Sequence, residues 1–490
     1  MADKRSRTSP LSPVTDFRPV KKYDDLVTVE LSTVAERQAR GRSARGEVPR
    51  TSHALFEPGL NRIDPVALLE RQATSRVPEL VPIRYGRMLA SPFAFFRGAS
   101  LIMANDLAHT PRSGLTVQAC GDAHLSNFGL FASPERNMLF DVNDFDETLP
   151  GPWEWDVKRL VASIVVAARD RGFSTKEQRA CAVAATSGYR QAMRLLAQMN
   201  NLEVWYARID AREILDMLKG TNVPLEHRAK KVIDKAYSRD SLQAAAKLTE
   251  VIDGHRRFIS DPPMIMPIST LMPEVDAGDV TDAMAELLVS YRTVLQSDRA
   301  HLVSQFTVVD LARKIVGVGS VGTRAWVLLL EGRSPDDILL LQAKEAQRSV
   351  LEEYLAPSVY SNQGERVVAG QHLMQAHSDI FLGHQGVIAL DGSERDFYVR
   401  QLRDWKGSFD PNYMIPRGLS IYGNVCGRTL ARAHARSGDR IAIASYLGGG
   451  SAFDRAIVEF AEAYADQNEL DYQALKAAVA SGRITAQMGI

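Results

Sequence analysis

Two short segments carry the residue types that could do chemistry. Gly121-Asp122-Ala123-His124-Leu125-Ser126-Asn127 is followed by Asp141-Val142-Asn143-Asp144-Phe145-Asp146-Glu147. Together they place five carboxylic acids and two asparagines on turns that follow short apolar runs. Carboxylates gathered this way repel one another. A hard cation such as Mg2+ offsets that repulsion and prefers oxygen ligands of this kind. Phosphoryl transfer uses such a set: a carboxylate to position or accept the acceptor's proton, and an Asn and an Asp to hold magnesium. On this spacing Asp122 is the candidate base, and Asn127 and Asp144 are the candidate metal ligands. His124 reads as loop packing, and Asp141 and Asp146 as further metal ligands or solvated carboxylates. The plainer alternative is a hydrogen-bonded acidic turn region, with or without calcium.

Far downstream, Gly317-Val318-Gly319-Ser320-Val321-Gly322 forms a Gly-x-Gly-x-x-Gly, a weak signal alone. A dinucleotide-binding unit needs a helix straight after the glycines. Here residues 324–330, with Trp326 and Val327, read as a strand. Residues 307–316 before them are strand-like, and 338–344, after a turn at 332–337, form a third strand that ends in Gln342-Ala343-Lys344. Strand, glycine turn, strand, turn and strand with lysine make a hairpin suited to covering phosphates. The backbone at Gly317, Gly319, Ser320 and Gly322 would approach them and Lys344 would hold them. Glu352, Glu353 and Glu365 are candidates for the acid that pairs with Lys344, and the choice falls on Glu352. A glycine-rich hairpin with a surface lysine is the plainer reading.

The elements that must position these groups change in texture along the chain. Residues 1–50 are rich in Arg, Ser, Pro and Asp and read as a mostly disordered arm. Helical patterns dominate 51–299, interrupted by candidate strands at 115–120 and 138–142. Val157, Leu160, Val161, Ile164 and Ala168 mark a helix over 156–170, with Asp156 as its N-cap. Residues 300–403 are β-rich, with a helical stretch at 345–377 and strands near 380–382 and 396–400. A hinge is expected at 404–413, and 414–490 are helical, with one segment ended by Gly438.

Asp122 and Asn127, with Asp144-Phe145 after the next strand, resemble the catalytic and metal-binding loops of the protein-kinase-like fold. The style is similar to that of aminoglycoside phosphotransferases, His-Gly-Asp-x-His-x-x-Asn then Ile-Asp-Phe, although Cys120 stands where that pattern has its first His. The resemblance implies ATP and Mg2+ as cofactors and an unidentified small-molecule or protein acceptor. In ordinary members the glycine loop and lysine precede the catalytic loop; here they follow it. The helix through Leu430-Ala431-Arg432-Ala433-His434-Ala435 resembles the one that normally runs into that loop. The implied architecture is therefore an α+β, two-lobed, circularly permuted kinase-like fold. Its small β-rich nucleotide-binding lobe is 300–403, and its large helical catalytic lobe is assembled from 51–299 and 414–490. The segment near 437 should then pack close to Val117. Separately, Arg84-Tyr85-Gly86-Arg87-Met88, Ser91-Pro92-Phe93-Ala94-Phe95, Asn143-Asp144-Phe145-Asp146-Glu147-Thr148 and Tyr398-Val399-Arg400-Gln401-Leu402-Arg403 resemble a bacterial family, domain of unknown function 2252, which brings no activity with it.

Composition narrows the partners. The 490 residues hold 59 Lys plus Arg and 59 Asp plus Glu, so net charge gives no argument for nucleic acid or an acidic membrane. Three scattered cysteines indicate neither a disulfide framework nor a zinc ribbon. The first residues have no apolar run behind them, and no stretch is long enough to span a bilayer, so the expected location is the cytoplasm. Three other functions fit the same residues: AMP transfer, a non-catalytic nucleotide-binding module, and a metal-dependent hydrolase built only on the acidic cluster.

Overall fold

The computed structural model describes residues 32–489 apart from 60, 220–222, 274–276, 316, 389–392 and 403. It is a mixed α+β chain in which small antiparallel sheets meet a larger helical part. β1 (Thr116–Ala119) pairs with β4 (Leu149–Pro152), and β2 (Phe128–Ala132) with β3 (Met138–Val142). A hairpin joins β5 (Thr249–Ile252) to β6 (His255–Phe258). Six strands form the main sheet: β7 (Ile265–Pro267), β8 (Thr307–Lys314), β9 (Ala325–Glu331), β10 (Ile338–Ala346), β11 (Gly383–Ile388) and β12 (Glu394–Gln401). Their order across the sheet is β11-β12-β10-β9-β8-β7.

The apolar runs in β9 and β10 have a simple cause: both faces of the sheet are covered. Val327, Leu329 and Leu340 pack with Ala244, Ala245 and Leu248 of the helix Ser241–Leu248. Leu330, Leu339 and Leu341 pack on the other face with Tyr291 and Phe381.

The helical part is centred on Trp153–Asp170, in which every residue from Trp153 to Ala168 is buried. A helix buried all round must be enclosed by others, and Thr175–Leu196, Pro416–Ser437 and Ala452–Ala480 pack around it. Pro416–Ser437 and Thr175–Leu196 lie against each other so closely that a Cβ at Gly427 would come 2.2 Å from the Ala185 carbonyl oxygen. Helix Pro416–Ser437 ends where β1 begins. The Gln118 N–H donates to Ser437 Oγ at 3.2 Å, and a Cβ on Gly438 would fall 2.6 Å from Val117. The expected contact near residue 437 is present.

Several expectations need correction. The disordered arm does not reach residue 50: Val34–Glu47 is a helix, opened by a Thr33/Glu36 capping box and tied by Arg37 to Asp439. Residues 1–31 lie outside the described residues. The main sheet draws on chain before 300, through β7. Within 345–377 only Val350–Glu353, a 3-10 turn, and Gln363–Met374 are helical. The strand expected near 380–382 starts at Gly383. Asp156 is not an N-cap but lies inside the first turn of Trp153–Asp170, where its carboxylate serves the neighbouring loop. No helix among the described residues is long and apolar enough to cross a membrane.

The close helix crossing makes a testable demand. Gly427→Ala forces a methyl group against backbone that cannot move aside, so it should destabilise by about 1–3 kcal/mol. Gly46, with no atom within 4 Å of its Cβ position, should instead accept alanine with a gain of up to about 1 kcal/mol. Urea-unfolding midpoints measure both.

Candidate functional site

The loop after β1 is held by one carboxylate. Asp156 accepts the Cys120 N–H at 2.6 Å and the Gly121 N–H at 2.9 Å. Its Oδ2 is also 3.0 Å from His434 Nε2, whose Nδ1 lies 2.9 Å from Tyr189 Oη. The helix Pro416–Ser437 therefore braces the turn that carries Asp122. Cys120 adds a second tie, since its thiol lies 3.3 Å from the Asp144 carbonyl and joins the two acidic segments.

Asp122 stands on this turn with one oxygen taken. Arg159 Nε donates to its Oδ1 at 2.7 Å, and the same guanidinium donates to the Phe96 carbonyl. Burial raises the Asp122 pKa to about 6 against the opposing charge of Arg159. His124 is buried, accepts the Ser126 N–H on Nδ1, and is held neutral by burial and by Arg97 and Arg159. It packs the loop. Asn127 donates from Nδ2 to the Asp122 carbonyl at 2.7 Å, which leaves its Oδ1 as an acceptor. Asp141 is neither a ligand nor solvated: it is fully buried, pairs with Arg432 and accepts the Ala376 N–H.

Asp144 and Asp146 share one environment and behave oppositely. Lys344 Nζ donates to Asp146 Oδ2 at 2.8 Å and lies 3.7 Å from Asp144 Oδ1. Tyr398, directly across from Lys344 in the β10–β12 register, donates to Asp146 Oδ1 at 2.6 Å. Burial pushes the Asp146 carboxyl up, but Lys344 and Tyr398 outweigh it and hold the pKa at about 2. Asp144 is raised by burial and by Asp146, and its Oδ1 is buried without a hydrogen-bond partner. The two aspartates keep Lys344 protonated despite its burial.

The pairing expected between Lys344 and Glu352 does not form. After β10 the chain enters the turn Val350–Glu353, whose Ser349 cap takes Glu352 as its reciprocal partner. The Glu352 carboxylate accepts the Ser349 and Ser358 N–H groups, each at 3.3 Å, and pairs with Arg348. Glu353 pairs with Arg71. From the next helix comes a cation instead. Buried Arg366 donates to the carbonyls of Thr148 at 2.7 Å and of Asp146 and Gln347 at 2.8 Å, fastening the acidic segment to the end of β10.

The glycine turn joins β8 to β9 above this cluster. Gly317 and Gly322 have φ of +61° and +90°, which glycine adopts without strain. A Cβ on Gly319 would come 3.3 Å from the Arg97 carbonyl. Ser320 Oγ lies 3.4 Å from Asp146 Oδ2. Residues 76–97 clamp the turn: Arg76 donates to the Val321 carbonyl, Arg87 to that of Gly317, and the Val77 N–H to that of Gly322.

Two cavities meet here. One of about 700 Å3 is lined by Asp122, His124, Asn127, Asp146, Arg97 and Gly319 among others. The other, about 550 Å3, is lined by Lys235, Arg239, Lys247, Lys314, Lys344, Arg400 and Lys406. Asp144, Gly317 and Ser320 line both. No group of three or more His, Cys, Asp or Glu side chains among the described residues could hold a metal by itself. A cation on Asn127 and Asp144 would take its other oxygens from a ligand or water, as Mg2+ commonly does.

The expected groups thus gather around the two adjoining cavities, although Gly322 lines neither and Glu352, which lines the larger, does not pair with Lys344. The sequence reading missed Asp146 as the lysine's counter-ion, Tyr398, Arg159 and Arg366. Only Tyr398 left a signal, since Tyr398-Val399-Arg400 puts Tyr398 and Arg400 on one face of a strand. A family model described as an uncharacterized protein conserved in bacteria, DUF2252, matches residues 76–478, a span that includes every site residue above. No curated protein and no solved structure matches the chain.

The assignment of the lysine's partner can be measured by double-mutant cycles. Lys344→Met and Asp146→Asn should couple by about 1–3 kcal/mol, whereas Lys344→Met and Glu352→Gln should add to within about 0.5 kcal/mol.

Proposed function

Because the chain belongs to the DUF2252 family, whose description carries no activity, we propose from the cleft itself that this is an ATP- and Mg2+-dependent phosphotransferase with a circularly permuted, protein-kinase-like fold. One observation carries the reading. Lys344, on the third strand of the β8–β9–β10 meander, lies against Asp144 and Asp146, nearly 200 residues earlier in the chain. The sheet supports it. A glycine turn between the first two strands, a lysine on the third, then a helix (Gln363–Met374) and two more strands follow the order of a kinase small lobe. In that reading the small lobe is centred on 300–403, the hinge follows it, and the helical lobe is completed by 414–490.

The residues fit the absent group. Asp144 Oδ1, buried without a hydrogen-bond partner and 3.7 Å from Lys344 Nζ, would be one cation ligand, and Asn127 Oδ1 a second. The smaller cavity is lined by seven basic side chains and one carboxylate, Asp144; Lys344 already pairs with Asp146 and burial beside Arg400 lowers Lys406 to about 7, and the remaining positive charge suits a polyphosphate. Bound Mg2+-ATP would supply the phosphoryl group and neutralise its charge during transfer. The chain does the rest. The backbone N–H groups of Gly317, Gly319 and Ser320, on the turn that Gly322 closes, would approach the phosphates, and Lys344, held by Asp146, would offer its remaining donors to phosphate oxygen. Asp122 takes the acceptor hydroxyl's proton on Oδ2, because Arg159 occupies Oδ1.

Melting temperature with and without nucleotide tests the proposal. Mg2+ with ATP should raise it by several degrees in the native chain, through binding to the folded state alone. The rise should vanish in Asp144→Ala and Lys344→Met. No shift at millimolar nucleotide sinks the proposal, and a shift untouched by Lys344→Met moves it to a hydrolase built on the acidic cluster. The mass added to a reacted acceptor or to the chain itself separates phosphoryl from AMP transfer.

Activity should also depend on pH in one direction. A base works deprotonated, so with Asp122 pushed up to about 6, kcat/KM should fall as pH drops through about 6. Asp122→Asn should remove activity by a factor of about 100 or more while nucleotide binding stays.

A further inference from the structure

Among the carboxylates that line the larger cavity stand three arginines that the reading above does not use. Most of its carboxylates are paired: Asp122 with Arg159, Glu345 with Arg324, Glu352 with Arg348 and Glu353 with Arg71. Arg76, Arg84 and Arg97 also line it, and none of the three forms an ion pair among the described residues. Arg84 is fully buried, with Nε and Nη1 unpaired, and Arg76 is 6% exposed, with Nε unpaired. Arg97 is half-buried and its Nε is unpaired. Burial holds all three guanidinium groups below their usual pKa, against the opposing charge of Glu147, Asp146 and Glu345 at Arg76 and of Asp122, Asp410 and Asp144 at Arg97, while Arg76 adds to the lowering at Arg84.

A buried cation without a directly paired carboxylate is costly, yet the chain fixes these three firmly. Arg84 donates to the Gly98 carbonyl at 3.0 Å, and Arg76 to the glycine turn. The Arg97 backbone touches the same turn, and its charge is felt by both Asp122 and Asp144.

We propose that the larger cavity takes a small acceptor bearing a phosphate monoester, docked on Arg97 in front of Arg76 and Arg84, with a free hydroxyl toward Asp122. Three guanidinium groups with no direct ion-pair partner among the described residues favour a dianion over a carboxylate, and the planar fork of arginine matches phosphate oxygens in pairs. That this ligand is the acceptor rests on the phosphotransferase reading; the anion site rests on the arginines alone. In the reaction the acceptor oxygen bonds to the transferred phosphorus as the bond from that phosphorus to the bridging oxygen breaks. ADP leaves, and the hydroxyl proton passes to Asp122.

Titration calorimetry on the full chain, saturated with the β,γ-imido analogue of ATP and Mg2+, tests this with inorganic phosphate and, separately, acetate as probes. Phosphate should bind the loaded chain at one site. It should bind at least tenfold more weakly after Arg97→Gln, with part of the loss recovered by Arg97→Lys, and acetate should be at least tenfold weaker than phosphate. No phosphate binding, equal affinity in Arg97→Gln, or acetate as tight as phosphate overturns the proposal. Circular dichroism confirms that each variant is folded. If the analogue itself fails to bind, the phosphotransferase reading falls separately. Phosphate is then titrated into the nucleotide-free chain carrying Lys235→Gln and Lys247→Gln, which removes two cations from the smaller cavity. A further loss on adding Arg97→Gln retains the arginine site, and no change removes it.

Discussion

The contact between Lys344 and Asp146 is the constraint on which the rest of the structure turns. A buried ammonium needs a carboxylate and a crowded aspartate needs a cation, so each makes the other tenable. The two belong to different parts of the fold: Lys344 to the main sheet, Asp146 to the loop between β3 and β4. Their 2.8 Å contact sets where the sheet meets the helical part. Arg366 reinforces the same junction with three carbonyl acceptors, and Glu147 does so through the Val350 N–H at 2.7 Å. The seam is closed by charge and hydrogen bonds, and on either side of it a cavity stays open.

The other side of the cleft depends on Asp156. Its carboxylate is buried among two backbone donors and His434, so the loop bearing Asp122 is fixed from the helix Pro416–Ser437, almost 300 residues away in sequence. This explains how a chain can carry its loop and the bracing helix at opposite ends without loss of geometry. The end of that helix and the start of β1 meet at Gly438 and Val117, and in the proposed kinase-like reading a connection at that point would give the unpermuted order. Order along the chain matters less than which buried groups must find each other.

Much of this was legible in the sequence because it rests on local rules. The β8–β9–β10 meander follows from glycine-interrupted apolar runs, and the convergence of Asp122, Asn127, Asp144 and Lys344 follows from recognising what each residue type could do. What escaped was long-range. Glu352 looked like the partner of Lys344 because a helix was expected to begin soon after β10. A Ser349 capping box absorbed Glu352, and the helix starts only at Gln363. Residues 34–47 look polar and arm-like, yet Arg37 finds Asp439 and Gly41 fits against Ala442. No local pattern signals such partners. The clamp formed by residues 76–97 on the glycine turn was equally invisible, since carbonyl acceptors have no sequence.

The same residue type does different work at three neighbouring positions, and environment alone decides which. Asp146 faces Lys344 and Tyr398 and is held ionised. Asp144, a few ångströms away, shares the lysine less closely, suffers the charge of Asp146 and keeps an unsatisfied oxygen. Asp122 is buried against a single arginine and sits at about 6, so its proton comes and goes near neutrality. Separating the pKa values of like groups is how a site divides tasks among them. A counter-ion must never release its charge, a metal ligand must be left wanting, and a base must be poised. In the proposed phosphotransferase reading, Asp146, Asp144 and Asp122 would meet these demands in turn.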